Sequence, residues 1–319
     1  MLIETQVGLL SMAAEEYHRN KDAVGHSSLV RIMRSPAHFQ EYVTHPPEPT
    51  PAMAFGTAVH SAVLEPAAFA SDYAVFDESQ LEGSLQSLDD YKAAAAELGI
   101  KVGKMKKEEI KEAIKATDVE SRFVFREDAI ARLYDGKQIL TPTLMMAIRS
   151  IQASISRHAG ASRLLANGMA EMSGFWSDPE TGLGCKCRPD WLVMADETIT
   201  GIVDVKTCAD ASAEGFARSI ATLGYDLQAA FYQDGIKAIT GRTLPFYFIA
   251  VEKDGPQAAA VYRASEDVID VGRAKYRGAL QLLQWCRANN RWPAYQPNGE
   301  IETIELPRYP ALERGGDAR

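Results

Sequence analysis

Pro189-Asp190 is followed, after thirteen residues, by Asp204-Val205-Lys206. In an extended strand, residues i and i+2 project from one face. Asp204 and Lys206 would therefore share a face, while Ile202, Val203 and Val205 suit a core strand. Asp190 falls on the preceding strand, one short turn away. Two carboxylates and a lysine on neighbouring strands can hold Mg²⁺ through oxygen ligands, orient a water and stabilise charge on a phosphodiester. The Asp204 and Lys206 side chains are expected to point into a solvated groove. A carboxylate-x-lysine triplet is weak by itself: Glu109-Ile110-Lys111 also matches, inside a polar helical stretch, and reads as a solvated helix face. Spacing alone leaves 189–206 open between a metal site and a surface ion pair, which would contribute little.

Further side chains converge on the same place. Lys186, Arg188 and Asp190 alternate onto one strand face, which puts two cations where a phosphate backbone would lie. If the hairpin turn is centred between Glu180 and Thr181, Glu171 lies opposite Asp190, either as another metal carboxylate or as an edge-strand salt bridge. Tyr225, Gln228 and Tyr232 fall at i, i+3 and i+7 on one helical face. They are a core stripe with polar tips or part of a site, and Gln228 favours a site. His60 sits among the small residues Gly56, Thr57, Ala58 and Ser61, which suggests close packing; it reads as a structural histidine or as a ligand.

The elements that must position these groups are legible in outline. Residues 27–43 read as a helix capped by Ser27 or Ser28 and kinked or divided at Pro36. A Pro-rich connector (45–53) precedes a helix in MAFGTAVHSAVLEP, ended by Pro66. Helices resume at 141–166, with Thr141 as cap and Pro142 in the first helical position. MAEMSGFW and GCKCRPDWLVM read as two strands around the turn SDPETGL, and ITGIVDVKT as a third after ADET. One helix fits 213–239, a hairpin fits LPFYFIAVE and QAAAVYRA, and a long helix runs from the cap Ser265 to about Ala288. The pattern predicts a mixed α/β core.

Composition bounds the answer. The chain has 319 residues, 46% hydrophobic and 24% charged, and a net charge of −9. That length allows two domains or one large one with an insertion, and the composition excludes a disordered chain or a disulfide scaffold. Four cysteines suit a reducing compartment, and Cys185 and Cys187 read as buried apolar residues. No signal peptide or membrane span is read, so a cytoplasmic protein is expected. An acidic chain is a poor prior for non-specific nucleic-acid binding, so any DNA contact must come from a local groove. No G-x-x-x-x-G-K-[ST] occurs, which argues against an ATP-driven motor.

The blocks HSSLVRIMRSPAHFQEY, FGTAVHSAVLEP, DPETGLGCKCRPDWLV, ITGIVDVKT and YDLQAAFYQDGI appear in order over residues 17–295. Together they resemble the RecE-type (exonuclease VIII) nucleases of the PD-(D/E)XK superfamily. The resemblance implies a restriction-endonuclease-like α/β fold, a mixed β-sheet core flanked by helices, in one domain spanning 1–319. It implies a Mg²⁺-dependent exodeoxyribonuclease, with Mn²⁺ as a substitute, acting on double-stranded DNA ends in phage recombination, with 5′→3′ polarity. It assigns His60, Asp190 and Asp204 as metal ligands, Lys206 as the catalytic lysine, and Gln228 and Tyr232 as a Q-x-x-x-Y motif. Glu171 matches an acidic metal position of related nucleases. Lys186, Arg188 and Tyr225 are the expected DNA contacts. A homo-oligomeric ring in a bacterial host cell, working with a single-strand annealing protein, would fit the same resemblance. The rivals are a RecB-like single-strand or flap nuclease and a non-cutting DNA-end-binding partner.

Residues 89–118 depart from that pattern and resemble an inserted helix-extended-helix (SAP-like) module. Six lysines and three glutamates within 101–115 make it locally basic, as an auxiliary DNA contact or, better supported, a solvated helical insertion.

Overall fold

Thr198–Cys208, a single strand of 11 residues, is buried through most of its length on both faces, which is why ITGIVDVKTC carries apolar residues at successive as well as alternate positions. It forms the middle of the sheet in a computed structural model that describes residues 7–118, 121–296 and 298–305. In chain order the elements begin with β1 (Gly8–Leu10), α1 (Ala14–Arg19), α2 (His26–Arg34), α3 (Pro36–Thr44), α4 (Pro51–Leu64), α5 (Pro66–Asp72) and β2 (Tyr73–Val75). Then come α6 (Leu88–Glu97), α7 (Lys107–Thr117), α8 (Arg126–Leu133), β3 (Gln138–Leu140), α9 (Pro142–Arg157) and α10 (Ala159–Leu164). The last part holds β4 (Gly168–Ala170), β5 (Ser173–Ser177), β6 (Gly184–Cys187), β7 (Trp191–Ala195), β8 (Thr198–Cys208), α11 (Ala213–Leu223), α12 (Tyr225–Thr240), β9 (Phe246–Glu252), β10 (Ala259–Arg263) and α13 (Glu266–Asn289).

The main sheet has the order β10-β9-β8-β7-β4. Only β8 and β9 run parallel within it, and a parallel pair needs a crossover, here supplied by α11 and α12. Ile202, Phe246 and Phe248 pack on one face against Leu29, Leu227, Phe231 and Tyr276 of α2, α12 and α13. Val203, Val205, Ile249 and Val251 pack on the other against Val59, Ala62, Ile148 and Ile151 of α4 and α9. The mixed α/β core is thus a sheet sandwiched by helices.

Several boundaries differ from the sequence expectation. GCKCRPDWLVM is two strands, β6 and β7, and MAEMSGFW is β4 and β5. The hairpin keeps one register throughout, from Ala170↔Trp191 to Gly174↔Cys187. It nevertheless switches from the main sheet to a second sheet, β1-β5-β6. The switch falls where Glu171 takes a φ of 50° and where Pro189 has no N–H to give. The helix at 213–239 breaks at Gly224, whose φ of 73° caps α11 and starts α12. Gly25, rather than Ser27 or Ser28, precedes α2. Pro36 does divide the first helix, with Ser35 capping α3. The connector ends early because Thr50 caps a helix starting at Pro51, and Pro66 opens α5. Thr141 and Ser265 cap α9 and α13 as read from sequence.

Helices α6 and α7 enclose a separate apolar cluster of Tyr91, Ala94, Ala95, Ile110, Ile114 and Phe125. Lys107, Lys111 and Lys115 lie on one face of α7 and pair with Glu127 and Asp128 of α8 at 2.7–3.0 Å. Half of the lysines in 101–115 are therefore neutralised within the chain. Lys101, Lys104 and Lys106 of the link remain exposed.

Candidate active site

Pairing between β7 and β8 ends at Trp191↔Val203. Beyond it, the edge of β8 that faced β7 has no strand partner, and side chains take over. The Val205 N–H donates to Asp190 Oδ2 at 2.7 Å. The Val205 carbonyl lies 2.7 Å from His60 Nε2. A carbonyl only accepts, so Nε2 carries the proton and Nδ1 keeps its lone pair. Burial and the nearby Lys206 charge hold the His60 pKa below its ordinary value, so the ring is neutral.

Nδ1 of His60 and Oδ2 of Asp190 are 3.7 Å apart. Glu171 closes the group: the candidate ligand atoms of His60, Glu171 and Asp190 all lie within 4.8 Å of one another. Glu171 is placed by the hairpin break, where its N–H donates to the Asp190 carbonyl at 3.1 Å. Its carboxylate accepts from Arg188 Nε at 2.7 Å. Burial, then the Asp204 charge, raise the Asp190 pKa well above the usual range; Lys206 and the Val205 N–H oppose this. Glu171 is raised by burial and then by Asp190, against Arg188. Two acidic oxygens and an imidazole lone pair facing one gap are a donor set for a divalent cation, which would offset the burial and the repulsion that raise both carboxyl groups.

Asp204 and Lys206 share a face of β8 as the alternation predicts, but Asp204 is fully buried and not in a solvated groove. Its Oδ1 accepts from Gln228 Nε2 of α12 at 2.7 Å. Its Oδ2 lies 2.5 Å from Lys206 Nζ, off the direction of an aligned hydrogen bond. The ammonium in turn sits 4.8 Å from the Tyr225 ring centre. Burial works against the Lys206 charge, but Asp204 and Asp190 outweigh it, and the group titrates above its ordinary value. Tyr232 is buried beneath the site, its hydroxyl held well above the ordinary value by burial, with Tyr17, Cys187, Asp204 and Asp190 as charged or ionisable neighbours.

Two expected DNA contacts are committed elsewhere. Lys186 is buried, and its ammonium donates to the backbone carbonyls of Tyr17 and Asn20 at 2.7 and 2.5 Å. Burial lowers its pKa to about 8. A desolvated ammonium held by two carbonyls fastens the end of α1 to β6 and is not offered to a phosphate. Arg188 is bound to Glu171, to Ser173 Oγ at 2.8 Å and to the Met12 carbonyl at 3.1 Å. Both cations flank the Tyr17 ring, at 4.5 and 5.7 Å. Cys185 and Cys187 are buried free thiols. Sequence reasoning missed the Val205 backbone groups and the Ser173 and Tyr17 side chains, because backbone hydrogen bonding and cross-sheet packing leave no spacing signal.

A profile of the PDDEXK-like domain of unknown function (DUF3799) matches residues 25–307. The chain belongs to this family. Among solved structures, a candidate exonuclease from Eubacterium rectale aligns over 93% of this chain and 96% of its own, with a TM-score of 0.54 and 15% identity. That likeness shows a shared fold. The alkaline exonuclease LHK-Exo from Laribacter hongkongensis aligns over 67% of this chain and 100% of its own, with a TM-score of 0.22 and 15% identity. LHK-Exo in complex with dAMP aligns over 54% and 89%, with a TM-score of 0.21 and 18% identity. No curated protein matches the chain. None of the described helices is long and apolar enough to cross a membrane.

Proposed function

We propose that this protein is a divalent-metal-dependent, ATP-independent exodeoxyribonuclease of the RecE type. It would degrade double-stranded DNA from its ends, with 5′→3′ polarity, in phage recombination. The observation that carries the reading is the gap between His60 Nδ1 and Asp190 Oδ2, closed by Glu171 and set beside the Asp204–Lys206 pair. The family match and the exonuclease name of the Eubacterium rectale neighbour point the same way.

His60, Glu171 and Asp190 would hold Mg²⁺ or Mn²⁺, and Asp204 Oδ2, which lacks an aligned hydrogen bond, is a further oxygen within the site. A bound divalent cation supplies Lewis-acid stabilisation of phosphodiester charge and lowers the pKa of its water. Lys206, whose ammonium lies 2.5 Å from Asp204 Oδ2, would help orient or deprotonate the attacking water. Gln228 fixes Asp204, and Tyr225 covers the far side of the ammonium. With Lys186 and Arg188 engaged internally, backbone contacts would fall to other cations, among them Lys101, Lys104 and Lys106. A closed homo-oligomeric ring enclosing the duplex would let an acidic chain stay on a polyanion without high bulk charge. A single-strand annealing protein is the partner expected to take the product strand.

The test is cleavage of end-labelled linear duplex, single strand and closed circle, each with Mg²⁺ and with chelator. Metal-dependent shortening of the linear duplex alone is expected. Preferential cutting of single strands favours the flap-type rival, and binding without cutting in every arm overturns the nuclease reading.

A further inference from the structure

The break between α11 and α12 sits against the first turn of α2. Gly224, at the break, accepts at its carbonyl from the Gln228 N–H at 3.1 Å, the first helical bond of α12. The same carbonyl lies 3.2 Å from His26 Nε2. Because a carbonyl only accepts, His26 donates there, as a neutral ring with its pKa lowered to about 4 by burial and by the Lys206 charge. A methyl group on Gly224 would stand 3.5 Å from Val30 of α2, so the two helices are in close contact at this point. On the other side, the Asp226 carboxylate pairs with Lys275, and the Asp226 carbonyl packs where Gly272 of α13 has no side chain; a Cβ there would fall 2.0 Å from it. The first turn of α12 is thus held from two directions. It is this turn that presents the Tyr225 ring to Lys206 and the Gln228 amide to Asp204.

We propose that His26 is a positioning residue for the catalytic lysine: its Nε2–H fixes the Gly224 carbonyl, which sets the rotation of α12 and so holds Tyr225 and Gln228 on the Lys206–Asp204 pair. The role assigned to Lys206 rests on the nuclease reading above; the placement of Lys206 does not. A tenfold change in rate corresponds to about 1.4 kcal/mol, so a small displacement of the ammonium is measurable.

The test uses His26→Gln, which keeps a donor near the Nε2 position, and His26→Phe, which keeps a ring without one. Two readouts are taken on the full chain. In protein labelled at lysine Cε, the Lys206 resonance, assigned by its loss in Lys206→Gln, is expected upfield because of the Tyr225 ring. It should stay there in His26→Gln and move toward the ordinary lysine position in His26→Phe. In single-turnover cutting of end-labelled duplex, His26→Phe should lose tenfold or more in rate at unchanged duplex affinity, and His26→Gln should recover most of it. An unmoved Lys206 resonance in a folded His26→Phe protein overturns the proposal. A wild-type protein that shows the shifted resonance but cuts nothing would sink the nuclease reading and leave the positioning role standing.

Discussion

His60 Nδ1 and Asp190 Oδ2 face each other across 3.7 Å as two acceptors, the first fixed as a lone pair by the Val205 carbonyl and the second oriented by the Val205 N–H. One residue of the central strand thus aims both groups with its own backbone. Without a cation in the gap, one of them must take a proton or the pair must repel.

Asp190→Asn should therefore stabilise the metal-free protein. The amide oxygen can still accept from Val205 at the Oδ2 position, and the neutral side chain removes the buried charge that Asp204 repels. Because the folded-state pKa of Asp190 is raised, its ionisation contributes instability that is absent at low pH, grows as pH rises above the unfolded carboxyl value and is complete once pH passes the raised folded value. The melting-temperature gap between variant and wild type should be near zero around pH 4 and reach about 2 °C or more at pH 8, where ~1 kcal/mol moves a chain of this size by that much. Calorimetry in chelator checks it. The same variant should lose the stabilisation that Mn²⁺ gives the wild type.

His60→Ala should leave the fold intact and weaken metal activation about tenfold or more, as losses within a metal site commonly do. Activity titrated against Mg²⁺ and Mn²⁺ is the measurement. An unchanged metal curve would return His60 to a purely structural part.

Removing Lys206 alone should cost stability as well as activity. Asp204 is fully buried, and Lys206→Met strands its carboxylate, a loss of about 3–5 kcal/mol for a broken buried pair. Lys206→Met with Asp204→Asn should recover most of that loss while neither variant cuts DNA. Urea unfolding of the two single variants and the double variant closes the cycle.

Lys186→Met should loosen the N-terminal segment without touching DNA affinity. Its ammonium is bound by the Tyr17 and Asn20 carbonyls, so proteolysis before residue 24 should quicken. The slope of log K against log salt for duplex binding should not change, since a phosphate contact would lower it by about one. A reduced slope would restore Lys186 to the DNA interface.

Much of the site could be read from the sequence because strand chemistry is local. Alternation put Asp204 and Lys206 on one face, and a single hairpin register put Glu171 opposite Asp190, as the strand pairs bear out. Proline positions and Ser or Thr caps marked α3, α9 and α13 for the same reason: the groups that satisfy a helix end lie within a few residues of it. What only the tertiary structure decided depends on which atoms meet across the fold. The sheet switch at Glu171 and Pro189 turned Lys186 and Arg188 toward Tyr17 and internal acceptors, though their alternation alone looked like a phosphate-facing pair. The break at Gly224 was hidden because a helix-compatible run continues through it, and only packing against α2 and α13 selects the turn. Burial decided the rest. Asp204 looks like any strand carboxylate in sequence, and it becomes a sealed, ion-paired charge only because α12 closes over β8.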